Sequence, residues 1–264
     1  MAQSRATAAS PRRRADLPLL ATALVVCTAW ALTPLSDWVA DLVVNTIPHS
    51  RDAELGTAAV AAARYTYAAD VAGVAKLGRS LVARLPRAER SRFNFTFAVI
   101  EEPYVNAFAY PGGAIFVTRR LISDLRVTQA ELAAVLGHEM GHVMARHTQK
   151  AAIKSNVLLW VLNALLREDG DDERETFGEN VHEMLLEQAL QLTRLKFSRR
   201  HEFEADALGM RVLREGGHPA AGMISFFDKL LALEAGSAQP VPWFSTHPAT
   251  HERVRVLREQ HGAR

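Results

Sequence analysis

The stretch that decides the fold is residues 128–147, TQAELAAVLGHEMGHVMARH. Thr128, followed by Glu131 three positions later, forms a capping-box pattern, which predicts that a helix begins here. Apolar residues then recur at helical spacing. His138 and His142 stand four residues apart, so a helix carries both imidazoles on one face, one turn from each other. The stretch therefore predicts a helix that presents two histidines together.

The types of residue around these histidines favour a metal site. Two neutral imidazoles at this separation can bind one tetrahedral zinc ion, and Glu139 beside them can act on a water bound to the metal. Gly137 and Gly141 each cost about 0.5–1 kcal/mol relative to alanine in a helix interior. Close backbone packing around a site explains these glycines better than the alternative of surface histidines on an isolated helix face.

A catalytic zinc ion needs a third protein ligand and an open fourth position. The chain has a single cysteine, so a histidine or carboxylate must serve. Residues 198–210, SRRHEFEADALGM, place Glu202 and Asp206 four apart on a mostly apolar predicted helix, where unpaired carboxylates are costly. We therefore expect one zinc ion per chain, with Glu202 as the third ligand. We expect Asp206 to orient His138, as outer carboxylates do for zinc-binding histidines.

Composition limits the class of protein. The 264 residues are 48% hydrophobic and 23% charged, which is typical of a globular chain and excludes a disordered or collagen-like one. Residues 1–16 carry four arginines against one aspartate, and the remainder is close to neutral. A nucleic-acid-binding domain would spread its positive charge over the folded part, so this partner is excluded.

Residues 17–36 contain no charged side chain, and as a helix they extend about 30 Å, one bilayer core. The preceding arginines predict that the N-terminus is cytoplasmic and the rest of the chain is outside the cytoplasm. We expect a membrane-spanning signal anchor. A cleaved signal peptide, ending near Ala29-Trp30-Ala31, and a buried soluble helix are the alternatives. The predicted organisation is a basic cytoplasmic tail (1–16), a transmembrane anchor (17–36), a connector (37–50) and a folded domain (51–264).

Within the folded domain, the pattern predicts a mainly helical fold with a small antiparallel sheet, of the α+β class. A helix over 52–85 precedes a strand at 93–98, where apolar residues alternate. Strands at 104–110 and 114–118 form a hairpin across Pro111-Gly112-Gly113. Further helices are predicted at 128–150, 153–166, 181–215, 220–235 and 250–260. The apolar segment 157–166 is too short to span a bilayer, and the acidic segment 167–180 is expected to be a solvated loop.

The motifs together resemble a known family. His138-Glu139-Met140-Gly141-His142, followed about 60 residues later by Glu202-Phe203-Glu204-Ala205-Asp206, is similar to the zinc metallopeptidase family that contains HtpX, BepA and the CAAX prenyl proteases. Residues 106–118 resemble the strand hairpin before the active-site helix of that family, and Ser245-Thr246-His247-Pro248 with Glu252-Arg253 resembles its C-terminal segment. The likeness covers roughly residues 48–260. It implies a gluzincin-like metallopeptidase domain of the bacterial periplasmic type behind one transmembrane helix.

The resemblance implies a zinc endopeptidase that hydrolyses unfolded or damaged envelope proteins. Zinc lowers the pKa of a bound water and polarises the scissile carbonyl. Glu139 would take the proton of that water and pass it to the leaving amine. An extended substrate could add to a sheet edge near Ala107–Ala109 or Gly113–Ile115.

Several alternatives stay open at this point. His247 could stabilise the oxyanion, fill the fourth zinc position and keep the enzyme latent, or be an ordinary loop histidine. A chaperone or assembly factor of the envelope could use the same groove with little proteolysis, and a zinc hydrolase with a small substrate is a weaker alternative. The expected location is the bacterial inner membrane with the catalytic domain in the periplasm, or the periplasm itself after signal cleavage. The sequence does not predict an oligomeric state.

Overall fold

The computed structural model describes residues 34–154, 187, 197–248 and 250–261, and this part of the chain is mainly helical with one small sheet. The elements before the sheet are α1 (Pro34–Thr46), α2 (His49–Ala63), α3 (Val74–Arg84) and α4 (Arg87–Arg90). The sheet strands are β1 (Thr96–Ile100), β2 (Ala107–Ala109) and β3 (Ala114–Thr118). The later helices are α5 (Arg119–Leu125), α6 (Gln129–Met144), α7 (Arg199–Gly216), α8 (Ala221–Gly236), α9 (Pro242–Thr246) and α10 (Thr250–His261).

The sheet is mixed, so the prediction of an antiparallel sheet is wrong in part. Its strand order is β1-β3-β2, in which β2 pairs antiparallel with β3 and β1 pairs parallel with it. The predicted hairpin is confirmed: a single 3₁₀ turn, Pro111–Gly113, joins β2 to β3. Gly112 in that turn has a φ of 81°, a conformation that favours glycine. After β1 the chain crosses to the far side of β3, and this crossover makes β1 parallel to β3.

The two edges of the sheet differ. The outer edge of β1 is covered by residues 66–68, through hydrogen bonds from the Ala68 amide to the Val99 carbonyl and from the Glu101 amide to the Thr66 carbonyl. Strand β3 is paired on both sides. In the part of the chain that the structure describes, β2 therefore provides the edge without a partner strand, and it lies against α6.

Helix α6 forms the centre of the molecule. Every residue from Glu131 to Val143 is buried, between the sheet on one side and helices α7 and α8 on the other. Its apolar side chains belong to the main hydrophobic core, together with residues of β1, β3, α3, α8 and α10. The capping box predicted at Thr128 and Glu131 is present. The predicted active-site helix therefore begins where the sequence indicates and is held rigidly by its surroundings.

Two predicted helices are interrupted at arginines. A third predicted helix, 181–215, is not helical at residues 197–198, where Ser198 caps the N-terminus of α7. The predicted helix 52–85 is divided into α2 and α3, and α2 ends at Arg64 in a left-handed conformation with a φ of 52°. The predicted helix 128–150 ends at Met144, Arg146 has a φ of 56°, and a new helical stretch covers residues 147–154. The two arginines, Arg64 and Arg146, carry no local signal for a helix end, so hydrophobic periodicity predicts that each helix continues past them.

Helix α1 covers most of the predicted connector 37–50, and its Ala40 and Val44 are buried with Leu55 and Ile153. Within the described ranges, no helix is both long and apolar enough to cross a membrane. The predicted anchor 17–36 lies outside the described residues except for its last three positions, which begin α1. The segments 157–166 and 167–180 also lie outside them, as does most of 181–196.

Candidate active site

The first part of the site lies in the middle of α6. His138, Glu139 and His142 are each at most 2% exposed. The two histidines direct their Nε2 atoms toward each other at 3.1 Å, as their four-residue spacing predicts. Burial lowers the pKa of His142 well below its usual value, against the opposing effect of Glu202. The ring is therefore neutral, which is the form that binds a metal ion.

The glycines of α6 bring α7 into direct backbone contact. A Cβ at Gly141 would lie 2.6 Å from the carbonyl oxygen of Ala205, and a Cβ at Gly137 would lie 3.1 Å from that of Gly209. At Gly141 only a residue without a side chain allows this approach, and at Gly137 a side chain would be tightly packed. The close packing explains why α6 contains glycine at a cost to helix stability, and it carries the carboxylates of α7 to the histidines.

Four side chains converge at this contact. Ligand atoms of His138, His142, Glu202 and His247 all lie within 4.8 Å of one another, and all four residues are buried. One Glu202 oxygen is 3.4 Å from His142 Nε2, and the other is 3.6 Å from His138 Nε2. His247 Nδ1 is 3.2 Å from the first of these oxygens and 3.4 Å from His138 Nε2.

This donor set fits zinc. Imidazole nitrogens with one carboxylate oxygen are ordinary zinc ligands in a tetrahedral site. Buried polar atoms without a hydrogen-bond partner are also costly, and among the described residues two of these atoms lie at the site: His247 Nε2 in the cluster and Glu139 Oε1 beside it. A metal ion and a water molecule would use donors that the protein itself leaves unpaired.

Glu139 lies beside the cluster without belonging to the ligand set. Its Oε1 is 3.7 Å from His247 Nε2. Burial raises the pKa of the Glu139 carboxyl, and the nearby His247 and His138 offset only part of that effect. A raised pKa brings a carboxylate closer to the range in which it accepts and returns a proton near neutral pH.

Asp206 contacts His138 as predicted, and Arg253, which the sequence marked only through the C-terminal resemblance, joins them. Asp206 Oδ1 is 3.0 Å from His138 Nδ1. Arg253 of α10 is fully buried, donates to both Asp206 oxygens at 2.6 and 2.7 Å, and also contacts Glu202. Burial raises the pKa of the Asp206 carboxyl, but the Arg253 guanidinium outweighs it and the pKa lies below the usual value. Arg253 thus keeps both carboxylates of α7 ionised and fixed.

His247 lies at the end of α9, inside the site. Its ring stacks on Trp243 with centroids 4.4 Å apart, and its amide donates to the Trp243 carbonyl. Burial lowers the pKa of His247, but the carboxylates of Glu202 and Glu139 outweigh it and raise the pKa above the usual value. An ordinary loop histidine would not be buried among three site residues. The geometry is compatible both with a metal ligand and with a donor to an oxyanion.

A second layer of histidines lies behind His142. His147 Nδ1 is 3.0 Å from His142 Nδ1, and His147 Nε2 is 3.3 Å from Glu204 Oε2. His201 stacks on His147 with ring centroids 4.4 Å apart. The sequence assigned no role to either histidine. For His147 the reason is the helix break at residues 145–146, which takes it out of the periodicity of α6. The carboxyl of Glu204 lies on the His147 side, away from the cluster of four ligands.

The structure brings together all six residues that the sequence singled out. The predicted ligands meet, Glu139 and Asp206 lie beside them, and His247 reaches the same point from the C-terminal part of the chain. Those residues are His138, Glu139, His142, Glu202, Asp206 and His247. The segment Ser245-Thr246-His247-Pro248 is the signal by which sequence reasoning found the last of them.

Comparison with known proteins agrees with this geometry. Residues 68–261 match the model described as Peptidase family M48. The chain is 34% identical over 162 residues to Metalloprotease LoiP of Escherichia coli, covering 60% of each chain. It is 31% identical over 159 residues to Mitochondrial metalloendopeptidase OMA1 of Arabidopsis thaliana, covering 60% of this chain and 30% of that one.

A further similar protein is the Beta-barrel assembly-enhancing protease of Escherichia coli, which is 30% identical over 194 residues and covers 70% of this chain and 37% of the relative. The chain therefore spans between 30% and 60% of the length of these three relatives.

Proposed function

The chain belongs to peptidase family M48, a family of zinc metallopeptidases, and from this premise we propose that it is a zinc endopeptidase acting on unfolded or damaged polypeptides. The predicted resemblance to this family is confirmed. The observation that carries the proposal is the convergence of four buried metal-binding side chains within 4.8 Å, with the Glu139 carboxyl beside them and one of its oxygens unpaired.

We assign His138, His142 and Glu202 as the ligands of one zinc ion. When bound, zinc supplies Lewis acidity, which acidifies a water molecule and polarises the scissile carbonyl. Asp206 accepts from His138 Nδ1 and so keeps the Nε2 lone pair of that ring directed at the site. Arg253 compensates the charges of Asp206 and Glu202, so that two buried carboxylates can stay ionised in contact with histidines.

Glu139 acts as the general base and then as the general acid. Its unpaired Oε1 accepts the proton of the attacking water, and the same oxygen returns the proton to the leaving amine. The raised pKa of the Glu139 carboxyl supports both transfers, because a carboxyl whose pKa lies closer to the working pH can both accept and return a proton. Removing such a group costs typically 10²–10⁴-fold in rate.

His247 is assigned a role at the same site, and two roles agree with its position. As a fourth metal ligand it would occupy the place that substrate needs and hold the enzyme latent. As a hydrogen-bond donor it would stabilise the oxyanion of the tetrahedral intermediate. We favour latency, because His247 Nδ1 already lies 3.2 Å from Glu202 and 3.4 Å from His138 Nε2.

The substrate class follows from the edge of the sheet. The Asn106 carbonyl accepts from the Thr118 amide and the Tyr110 amide donates to the Ala114 carbonyl, so by antiparallel alternation the N–H and C=O groups of Ala107 and Ala109 face away from β3. Of these groups, the Ala107 N–H donates to Asn106 Oδ1. Both alanines are at most 4% exposed, so an extended polypeptide would pair with the remaining groups, independently of its side chains, only after displacing what covers β2. The alternative edge at Gly113–Ile115 is wrong, because β3 is paired on both sides.

We also propose that the chain is anchored in the bacterial inner membrane with its catalytic domain in the periplasm. The four arginines before the uncharged stretch 17–36 support this orientation. Substrates among envelope proteins agree with a relative named for β-barrel assembly. Protease added outside spheroplasts should degrade the domain, and protection there would contradict the orientation. Release of the domain from washed membranes would favour a cleaved signal peptide.

The experiment that tests the proposed activity is cleavage of an unfolded protein by the full chain in detergent. We compare the wild type with Glu139→Gln, which keeps the size of the side chain and removes the base. Glu259→Gln serves as a control, because Glu259 is an exposed carboxylate on α10 that pairs with Arg255. Zinc content is measured for all three proteins.

We expect the wild type and the control to cleave the substrate, and Glu139→Gln to bind zinc and unfolded protein without cleaving it. Addition of a zinc chelator should stop cleavage by the wild type. Equal cleavage by Glu139→Gln would contradict the assigned base. Binding without cleavage by the wild type would favour the alternative of a chaperone or assembly factor.

A further inference from the structure

A chain of hydrogen-bonding groups extends from the metal cluster toward the surface. It begins at His142, continues through His147 and ends at the carboxyl of Glu204. The two nitrogens of the His147 ring face different partners: Nδ1 faces His142 Nδ1 at 3.0 Å, and Nε2 faces Glu204 Oε2 at 3.3 Å. His147 is fully buried, whereas the Glu204 side chain is 43% exposed.

The protonation pattern along this chain is determined by its end at the cluster. If His142 offers its Nε2 lone pair to a metal ion, its proton must be on Nδ1. That N–H can only donate to His147 Nδ1 if the latter carries a lone pair. The proton of the neutral His147 ring is then on Nε2, which donates to the Glu204 carboxylate. One tautomer of His147 satisfies every contact, and the other leaves two N–H groups facing each other.

We propose that His147 and Glu204 are positioning residues for the metal ligand His142, with His147 fixing its tautomer and ring orientation and Glu204 fixing the tautomer of His147. The inference rests on the proposed zinc site and extends it. His138 has the same kind of support from Asp206, directly and at 3.0 Å. His142 obtains it through a second histidine, because the nearest carboxylate on that side belongs to the partly exposed Glu204.

The surrounding structure holds His147 in this orientation. The left-handed Arg146, with a φ of 56°, ends the run of α6 and allows the next residue to lie against His142. His201 stacks on the His147 ring at an interplanar angle of 16°, which fixes its plane. Phe197 stacks on the His142 ring with centroids 4.1 Å apart. Packing thus defines the planes of both rings, and the hydrogen bonds define which nitrogen carries each proton.

Zinc affinity of the metal-free full chain, measured by competition with a chelator, tests the proposal. His147→Leu fills the space without an acceptor, whereas His147→Asn retains an oxygen near the position of Nδ1. Glu204→Met removes the outer acceptor. Glu101→Met is the matched control, because Glu101 is 42% exposed and holds a single ion pair with Arg119. The midpoint of thermal unfolding of each metal-free protein is recorded in parallel.

We expect His147→Leu to weaken zinc binding about 10–100-fold, the usual range for loss of an outer partner of a metal ligand. His147→Asn should recover most of the loss, Glu204→Met should show a smaller loss in the same direction, and Glu101→Met should bind as the wild type does. A purely structural role predicts lower unfolding midpoints with unchanged zinc affinity, and that result would overturn the proposal.

Glu204→Met keeps the test decisive if His147→Leu does not fold, because the Glu204 side chain is partly exposed. Unchanged affinity in Glu204→Met and in His147→Asn would then overturn the proposal, and a loss confined to Glu204→Met would support it. A wild type that binds no zinc would contradict the proposed function itself. That result differs from failure of the positioning proposal alone, in which the wild type binds zinc and His147→Leu binds it equally tightly.

Discussion

Replacing Gly141 with alanine tests whether the contact between α6 and α7 builds the site. The new Cβ would lie 2.6 Å from the Ala205 carbonyl oxygen and 3.0 Å from its Cα, so backbone must move. Overpacking of this kind costs about 1–3 kcal/mol, and the helix gains about 1 kcal/mol from losing a glycine. We therefore expect a net loss of up to about 2 kcal/mol in the free energy of unfolding.

Alanine substitutions at two other glycines serve as comparisons for Gly141→Ala. At Gly137 the nearest atom to a Cβ, the Gly209 carbonyl oxygen, is 3.1 Å away, so a small shift suffices and the two effects nearly cancel. At Gly236 nothing lies within 4 Å, so alanine should stabilise the protein by up to about 0.5 kcal/mol, less than in a helix interior because Gly236 is the last residue of α8. The expected order of stability is Gly236→Ala, then Gly137→Ala, then Gly141→Ala.

The assay is urea unfolding of the three metal-free variants, with zinc affinity measured on the same proteins. Ala205 lies between Glu202 and Asp206, so the shift that Gly141→Ala forces should weaken zinc binding, whereas Gly236→Ala should leave it unchanged. The reasoning is refuted if Gly141→Ala is at least as stable as Gly137→Ala and binds zinc as tightly as the wild type.

Three further predictions follow from other parts of the structure. Arg146→Met should lower the free energy of unfolding, measured in urea, by about 3–5 kcal/mol, because it leaves the buried Asp52 carboxylate without the guanidinium that lies 2.7 Å away. Adding Asp52→Leu should restore part of the loss. A loss below about 1 kcal/mol would contradict this reasoning. Burial raises the pKa of Glu131, but hydrogen bonds from Lys229, Ser225 and Thr128 outweigh it and hold the pKa below its usual value. Because the pKa of Glu131 is lower in the folded protein, its carboxylate stabilises the fold fully above the unfolded pKa and loses this effect as the pH falls toward the folded pKa. The difference in free energy of unfolding between the wild type and Glu131→Gln should therefore be full at pH 7 and shrink on acidification. A difference that grows on acidification would contradict this sign. His247→Ala should raise basal proteolysis if His247 holds the enzyme latent, and lower turnover about 10²–10³-fold if it stabilises the oxyanion, whereas an unchanged rate at unchanged zinc content would remove it from the mechanism.

The part of the site that follows from local spacing could be predicted from the sequence. His138 and His142 share a helix face because they are four residues apart, and the same holds for Glu202 and Asp206. Gly137 and Gly141 predicted a close backbone approach, and the backbone of α7 lies against both glycines. These inferences hold because the geometry of a helix is fixed by sequence separation alone.

The contacts made across the fold could not be predicted in this way. Arg253 reaches Asp206 from a helix 47 residues further along the chain, and although the C-terminal resemblance includes Arg253, no local spacing predicts this contact. The parallel pairing of β1 depends on a crossover, whereas alternation in a strand carries no information about direction. The ends of α2 and α6 are set by arginines in left-handed conformations, stabilised for Arg146 by bonds to Val44, Ile47 and Asp52.

Anomalous diffraction at the zinc absorption edge, from crystals of the protein grown with zinc, would show directly which side chains bind the metal. The account predicts one peak per chain, about 2.0–2.2 Å from His138 Nε2, His142 Nε2 and one oxygen of Glu202. A peak that also lies at this distance from His247 would identify the latent form. A zinc peak away from these three side chains, or none at all in a folded protein, would contradict the account.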